Sequence, residues 1–173
     1  MSSKLNKVSI ERFSRQIVLK DVGIIGQKKI ISSKVLVVGA GGLGSPATEF
    51  LSRAGVGVIG IVDNDKVSLS NLHRQSLYNN SDVGKFKVKI AKKNIKKINP
   101  NTEVKIYKIR LNNINFKEII NNYDYVVDGS DNFTTKFLLN DFCLKYKKIL
   151  VTGAISKFDG HVFTFDFKNK KIP

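Results

Sequence analysis

A glycine-rich turn between an apolar segment and a helical segment constrains this chain more than any other feature. The apolar residues 35–38 lead into residues 39–44, Gly-Ala-Gly-Gly-Leu-Gly, and Pro46 follows where the first turn of a helix needs no N–H group. Gly39 permits the tight turn, Gly41 lets the backbone approach a phosphate, and Gly44 lets the helix pack against the strand. Unpaired N–H groups and the positive end of the helix dipole then face an anion. The sequence therefore predicts a nucleotide site built on a strand, a loop and a helix.

Apolar runs alternate with amphipathic segments along the rest of the chain, which predicts a mainly parallel sheet with right-handed crossovers. We expect an α/β, Rossmann-like, doubly wound fold with helices on both faces. No repeat or linker divides the 173 residues, so we predict one domain, 1–173, in which residues 1–33 form an N-terminal helical segment. The predicted strands are 34–38, 58–62, 103–109, 125–128, 149–152 and 161–167, and the predicted helices are 10–18, 27–31, 46–53, 85–98, 116–121 and 134–146.

The formal charge of +16 raises the question of nucleic-acid binding. Of the 30 basic residues, 25 are lysine and 5 are arginine, and neither the arginines nor the aromatic residues that carry specific nucleic-acid contacts are clustered. We interpret the lysine-rich helix 85–98 mainly as a solvated surface and expect no nucleic-acid partner. No apolar run approaches the roughly 20 residues of a membrane span, and the N-terminus lacks the apolar centre of a secretory signal. We therefore expect a cytoplasmic protein without a membrane partner.

Two acidic residues follow the second predicted strand. Asp63 ends that strand 19 positions after Gly44, where a carboxylate accepts hydrogen bonds from ribose hydroxyls of either NAD or ATP. Asp65 lies on the same turn and has two open interpretations, a site residue or a cap. These carboxylates alone do not identify the nucleotide.

Cations and a further carboxylate favour ATP. Arg74 can fork onto phosphate oxygens, and Lys87 supplies a mobile charge that follows a departing pyrophosphate. Asp131, just after a predicted strand, can hold Mg²⁺. The alternatives are that either cation pairs with a surface acid and that Asp131 caps the next helix. An NAD-dependent oxidoreductase would instead need a nicotinamide pocket and a catalytic acid.

Several motifs together resemble the MoeB/ThiF/HesA family, the bacterial relatives of the ubiquitin-activating enzymes. They occur in that family's order between residue 12 and about residue 165. The matching stretches are Arg12-Phe-Ser-Arg15-Gln16-Ile-Val-Leu19, Gly39-Ala-Gly-Gly-Leu-Gly-Ser-Pro46, Ala54-Gly-Val-Gly57, Ile61-Val-Asp63-Asn-Asp65, Ser70-Asn-Leu-His-Arg-Gln75, Val83-Gly-Lys-Phe-Lys87, Ile98-Asn-Pro100, Asp128-Gly-Ser-Asp-Asn132 and Phe158-Asp-Gly160.

The resemblance implies an ATP-dependent adenylyltransferase that acts on the C-terminal glycine of a ubiquitin-like sulfur-carrier protein ending in Gly-Gly, as in molybdopterin or thiamine biosynthesis. It also implies a homodimer, because Arg15 is expected to reach the nucleotide of the neighbouring subunit. The expected nucleotide-binding residues are Gly39, Gly41, Gly42, Gly44, Asp63, Asp65, Asn71, Arg74, Gln75 and Lys87, and the expected catalytic residues are Arg15, Arg74, Lys87 and Asp131, of which Asp131 is the Mg²⁺ ligand.

The chain departs from that family in its length. Members usually continue with two cysteine pairs that bind zinc, whereas Cys143 is the only cysteine here and no zinc ligands are expected. We interpret Cys143 as a packed apolar residue and His73 and His161 as structural. Two other functions stay open: an NAD-dependent Rossmann oxidoreductase and a non-catalytic nucleotide-binding remnant.

Overall fold

The computed structural model describes residues 5–169 and contains one six-stranded sheet. Two short 3₁₀ turns, at Leu69–Asn71 and Asn80–Asp82, lie in the long connection after the second strand. The helices and strands in chain order are α1 (Lys7–Arg12), α2 (Ser14–Ile17), α3 (Gly23–Ser32), β1 (Lys34–Val38), α4 (Gly44–Ala54), β2 (Val58–Val62), α5 (Lys87–Ile98), β3 (Glu103–Tyr107), α6 (Asn113–Ile120), β4 (Tyr125–Asp128), α7 (Phe133–Lys145), β5 (Ile149–Ser156) and β6 (Asp159–Asp166).

The strand order β3-β2-β1-β4-β5-β6 confirms the predicted doubly wound fold. All neighbouring pairs are parallel except β5 with β6. The chain places β2 and β3 on one side of β1 within the sheet and then crosses over to place β4, β5 and β6 on the other side. The direction of strand addition therefore reverses between β1 and β4. Ligands of open α/β sheets bind in the crevice at such a switch point, at the carboxyl ends of the strands.

The two faces of the sheet carry separate cores because successive side chains of a strand point to opposite faces. Val35 and Val37 of β1 pack with the apolar side of α5, including Val88 and Ile95. Leu36 and Val38 face the other way and join Phe116 of α6 with Leu139 and Cys143 of α7. Helices therefore cover both faces, as predicted. Among residues 5–169, no helix is both long and apolar enough to cross a bilayer.

The N-terminal segment differs from its prediction. The single helix predicted over residues 10–18 is wrong, because the backbone leaves helical geometry at Phe13, with φ −105° and ψ 13°. The Phe13 ring is buried against Gly55, the left-handed residue that ends α4; a Cβ at Gly55 would lie 2.6 Å from Phe13 Cζ. Burial of this ring overrides the local helical pattern. The stretch predicted as 27–31 is the longer helix α3.

The last two strands form a hairpin rather than the two separated strands predicted. β5 continues to Ser156 and β6 starts at Asp159, so Lys157 and Phe158 form the turn, with Lys157 at φ 55°. Eight residue pairs join the strands. Local antiparallel pairing extends both strands beyond the apolar runs from which they were predicted.

Candidate nucleotide-binding site

Three glycines bring the loop after β1 and the loop after β4 into backbone contact. A Cβ on Gly39, which has φ 86°, would lie 2.8 Å from the Gly129 carbonyl oxygen, and a Cβ on Gly129 would lie 2.8 Å from Gly44 N. A Cβ on Gly44 would overlap the Gly39 carbonyl oxygen. We call Gly39, Gly44 and Gly129 the glycine junction. The junction lies at the switch point of the sheet, and the sequence analysis assigned Gly129 no role in it.

Unpaired backbone donors surround the start of α4. The N–H groups of Gly41, Gly42 and Leu43 donate to no atom within the described residues 5–169, whereas Ser45 N already donates to Gly41 O at 2.9 Å. The first turn of α4 contains no acidic residue and no capping side chain. Three donors and the positive end of the helix dipole are therefore free to bind an anion.

Asp63 supports the glycine loop from the end of β2. Its Oδ2 accepts a hydrogen bond from Ala40 N at 2.8 Å, and its Oδ1 accepts one from Asp65 N at 2.7 Å. Tyr78 donates its hydroxyl to Ala40 O at 2.9 Å. Burial, and secondarily the charge of Asp63, raise the pKa of Tyr78, which keeps this phenol a donor. A carboxylate oxygen accepts more than one hydrogen bond, so Asp63 retains capacity for ribose hydroxyls.

Lys87 and Asp65 form an ion pair at the same rim. Lys87 begins α5 and is 5% exposed, and its Nζ lies 3.1 Å from Asp65 Oδ2. The Lys87 N–H also donates to Asp65 O at 3.0 Å. Lys87 therefore pairs with an acid, one of the two alternatives for this cation, and that acid is Asp65, itself a candidate site residue. An ammonium has three donors, so Lys87 can bind a phosphate while the pair persists.

The segment 70–75 lies over the glycine loop. A Cβ on Gly42 would lie 3.4 Å from Arg74 Cδ, so the Arg74 side chain crosses directly above that residue. Its guanidinium donates to Asn71 Oδ1 at 3.0 Å and to His73 Nε2 at 2.8 Å. Arg74 forms no ion pair with a carboxylate within residues 5–169. Its positive charge is therefore available to a phosphate.

Gln75 lies beside the same loop. It is 3% exposed, and its Nε2 is 3.9 Å from where a Cβ on Gly41 would be. Its Oε1 is buried without a hydrogen-bond partner among the described residues. A buried amide oxygen in that state is costly unless a bound group or water satisfies it, which is consistent with a place at the edge of a ligand site.

Asp131 is exposed and follows the glycine junction by two residues. Its only hydrogen bond among the described residues comes from Asn132 Nδ2 at 3.5 Å. No cluster of three or more His, Cys, Asp or Glu side chains able to hold a metal occurs within residues 5–169. A single free carboxylate fits Mg²⁺ that arrives with phosphates and keeps its waters, and does not fit an all-protein cage.

Arg15 does not join the other candidate residues within one chain. It lies on α2, next to Phe13, which packs on the C-terminal end of α4. The glycine loop lies at the opposite end of that 11-residue helix, about 16 Å away at about 1.5 Å per residue. Its predicted contact with the nucleotide of a neighbouring subunit stays a prediction.

The structure adds two residues that sequence reasoning did not assign. Asp128 ends β4 with a side chain 1% exposed, and Lys136 of α7 lies 2.9 Å from its Oδ2. The sequence did contain a signal for Asp128, because an acidic residue ends the apolar run of β4 and Ser130 follows two positions later. Cys143 is fully buried in the core, as predicted, and burial raises the pKa of its thiol to about 12.

Comparisons with known proteins agree with this geometry. A family model described as "ThiF family" matches residues 13–172. The "Sulfur carrier protein adenylyltransferase" of Thermus thermophilus is 47% identical over 159 residues, which cover 92% of this chain and 59% of that protein. The "Probable molybdopterin-synthase adenylyltransferase" of Porphyra purpurea is 47% identical over 157 residues, or 91% of this chain and 41% of that protein. This chain thus spans only about half the length of these relatives.

A solved structure with the same fold contains a bound nucleotide. The E. coli tRNA N6-threonylcarbamoyladenosine dehydratase in complex with ATP superimposes with a TM-score of 0.84 at 30% sequence identity, covering 90% of this chain and 65% of that one.

Proposed function

Because the chain belongs to the ThiF family, we propose that it uses ATP to adenylate the C-terminal glycine carboxylate of a ubiquitin-like sulfur-carrier protein. Support for the activity comes from relatives named as adenylyltransferases, one of them explicitly for sulfur carriers. Support for the nucleotide comes from the ATP complex of a structural neighbour. On this proposal residues 1–173 form one ATP-binding adenylation domain.

The observation that carries the proposal is the convergence of positive groups on one rim of the sheet. Free N–H groups begin α4, the Arg74 side chain crosses Gly42, and the buried Lys87 ends beside Asp65. A dinucleotide needs the N–H groups for its pyrophosphate but does not need two additional cations. A triphosphate needs the N–H groups and both cations. This arrangement favours ATP over NAD.

The proposed reaction is a displacement at phosphorus. A carboxylate oxygen of the carrier's last glycine attacks the α-phosphorus, the bond from that phosphorus to the bridging oxygen breaks, and the electron pair leaves with pyrophosphate. The products are the acyl-adenylate, which is ready to accept sulfur, and pyrophosphate. No side chain of this chain acts as a nucleophile in that step.

Positioning and charge stabilisation are then the protein's contribution. Donors at Gly41, Gly42 and Leu43 suit the α-phosphate, while Arg74 and Lys87 suit the departing pyrophosphate. Bound Mg²⁺ supplies additional neutralisation of phosphate charge, and Asp131 is the residue that would hold it. Asp63 would bind the ribose, with Asn71 holding Arg74.

A homodimer completes the proposed site. Arg15 lies on α2, near the end of α4 that is remote from the glycine loop, and its proposed role is to bind the nucleotide of a second copy. The chain's single cysteine supplies no cysteine pair for zinc.

Carrier-dependent exchange of radioactive pyrophosphate into ATP tests the function. We expect exchange with a carrier ending in Gly-Gly and none with the same carrier lacking its last glycine. Arg74→Ala should abolish exchange, whereas Arg110→Ala, which removes an exposed arginine after β3, should leave it unchanged. Binding of ATP without exchange would identify a nucleotide-binding remnant. Binding of NADH in preference to ATP would identify an oxidoreductase.

A further inference from the structure

A buried carboxylate lies directly behind the proposed metal ligand. Asp128 receives four hydrogen bonds: Oδ1 accepts from Ser130 N at 2.9 Å and Ser130 Oγ at 2.6 Å, and Oδ2 accepts from Lys136 Nζ at 2.9 Å and Thr152 Oγ1 at 2.6 Å. Four donors fill the lone pairs of a carboxylate. The cluster is therefore fully satisfied and ties β4, α7 and β5 together.

Lys136 reinforces that connection. Its ammonium also donates to Gly153 O at 2.8 Å, and its side chain is 21% exposed. An ion pair this buried is weak evidence for a stabilising role, because desolvation offsets much of the attraction. Its hydrogen bonds do, however, fix the direction in which the chain leaves β4.

The loop that carries Asp131 is held at both of its ends. At the start, the two bonds from Ser130 to Asp128 close a tight turn, and Gly129 packs on Gly44. At the end, Asn132 caps α7 by accepting from Thr135 N at 2.9 Å. Asp131 lies between these anchors and is itself exposed.

We propose that Asp128, fixed by Lys136 and Thr152, is a positioning residue that orients Asp131 for Mg²⁺ binding. This inference rests on the proposed function, and Asp128 itself touches neither nucleotide nor metal. If Asp128 had a purely structural role, its substitution would lower stability, or would lower nucleotide affinity equally with and without Mg²⁺. A positioning acid affects the part of nucleotide affinity that depends on the metal. Loss of a residue that orients a metal ligand typically weakens metal binding about 10-fold to 100-fold.

The test measures the dissociation constant of a non-hydrolysable ATP analogue by calorimetry, once with Mg²⁺ and once with EDTA, on the full 173-residue chain. The ratio of the constant in EDTA to the constant with Mg²⁺ reports the contribution of the metal to nucleotide affinity and requires no turnover. Asp128→Asn should reduce the ratio about 10-fold and leave the EDTA constant within about 2-fold.

Asp124→Asn is the matched control. Asp124 precedes the opposite end of β4 and accepts one backbone hydrogen bond, from Lys34 N at 3.0 Å. Its substitution should leave the ratio unchanged. If Asp128→Asn does not fold, Thr152→Val carries the test, because it removes only one of the four donors and should still reduce the ratio about 3-fold, a fraction of the full loss.

Asp131→Asn separates this inference from the proposed function. A wild-type ratio near one, or an unchanged ratio in Asp131→Asn, would overturn the metal role of Asp131 and with it this inference. A reduced ratio in Asp131→Asn with normal ratios in Asp128→Asn and Thr152→Val would overturn the positioning role alone. Equal losses in both solutions would show a structural role and would also overturn it.

Discussion

Replacing Gly129 by alanine probes the glycine junction at the switch point of the sheet. The new Cβ would lie 2.8 Å from Gly44 N and 3.0 Å from Gly44 Cα, and both are backbone atoms that cannot rotate away. Relief to an ordinary van der Waals separation requires the loops to part by about 0.6 Å. Gly129 does not have a positive φ, so the effect is steric and involves no backbone strain.

Overpacking of this kind costs about 1–3 kcal/mol. For a domain of this size, that corresponds to a fall in melting temperature of about 2–12 °C. Because the displaced backbone belongs to the start of α4, we also expect ATP affinity to fall by about 10-fold or more, a loss of about 1.4 kcal/mol. Differential scanning calorimetry and nucleotide titration measure the two effects.

Gly160→Ala is the matched control for this substitution. Nothing lies within 4 Å of a Cβ at Gly160, and the residue has no positive φ, so its melting temperature should change by about 2 °C or less. Wild-type melting temperature and ATP affinity in Gly129→Ala would refute the argument that the two loops are in close backbone contact.

Three further substitutions test individual contacts. Lys87→Met should weaken ATP binding by about 10-fold or more while the exposed neighbour substitution Lys89→Met does not, and equal titration curves for both variants would refute the role of Lys87. Tyr78→Phe should lower stability by about 1 kcal/mol through loss of its hydrogen bond to Ala40 O, and an unchanged denaturant midpoint would contradict this. Cys143 should resist alkylation in the native state because burial raises the pKa of its thiol to about 12 from an ordinary value of 9.0. The neutral buried thiol contributes fully to the free energy of unfolding below pH 9, and this contribution is lost as pH rises towards 12, because the unfolded thiol ionises first. The free energy of unfolding of Cys143→Ala should therefore fall less steeply with pH than that of the wild type across this interval, by up to about 1.4 kcal/mol per pH unit.

The fold could be predicted from the sequence wherever local pattern and tertiary packing agree. Strand β1 has the predicted bounds, 34–38, because its apolar residues 35–38 are buried on both faces of the sheet. The N-terminal helix was predicted wrongly because burial of Phe13 against Gly55 depends on a residue far along the chain. The hairpin of β5 and β6 was missed because antiparallel pairing extends the strands through glycine-containing residues, 153–156 and 159–160, that carry no strand pattern of their own.

The candidate site could be predicted in composition but not in its connections. Residue position and chemistry, supported by the motif resemblance, identified Asp63, Asp65, Arg74 and Lys87, but not that Asp63 supports Ala40 N or that Asp65 pairs with Lys87. Such contacts depend on side-chain directions that residue spacing does not specify. The role of Asp128 was missed for the same reason, since its partners come from three different elements.

A crystal structure of the chain with a non-hydrolysable ATP analogue and Mg²⁺ tests the central claim most directly. The account predicts the α-phosphate within hydrogen-bond distance of the N–H groups of Gly41, Gly42 and Leu43, with Arg74 and Lys87 on the terminal phosphates. A nucleotide bound elsewhere, or bound here with both cations directed away from its phosphates, would contradict it.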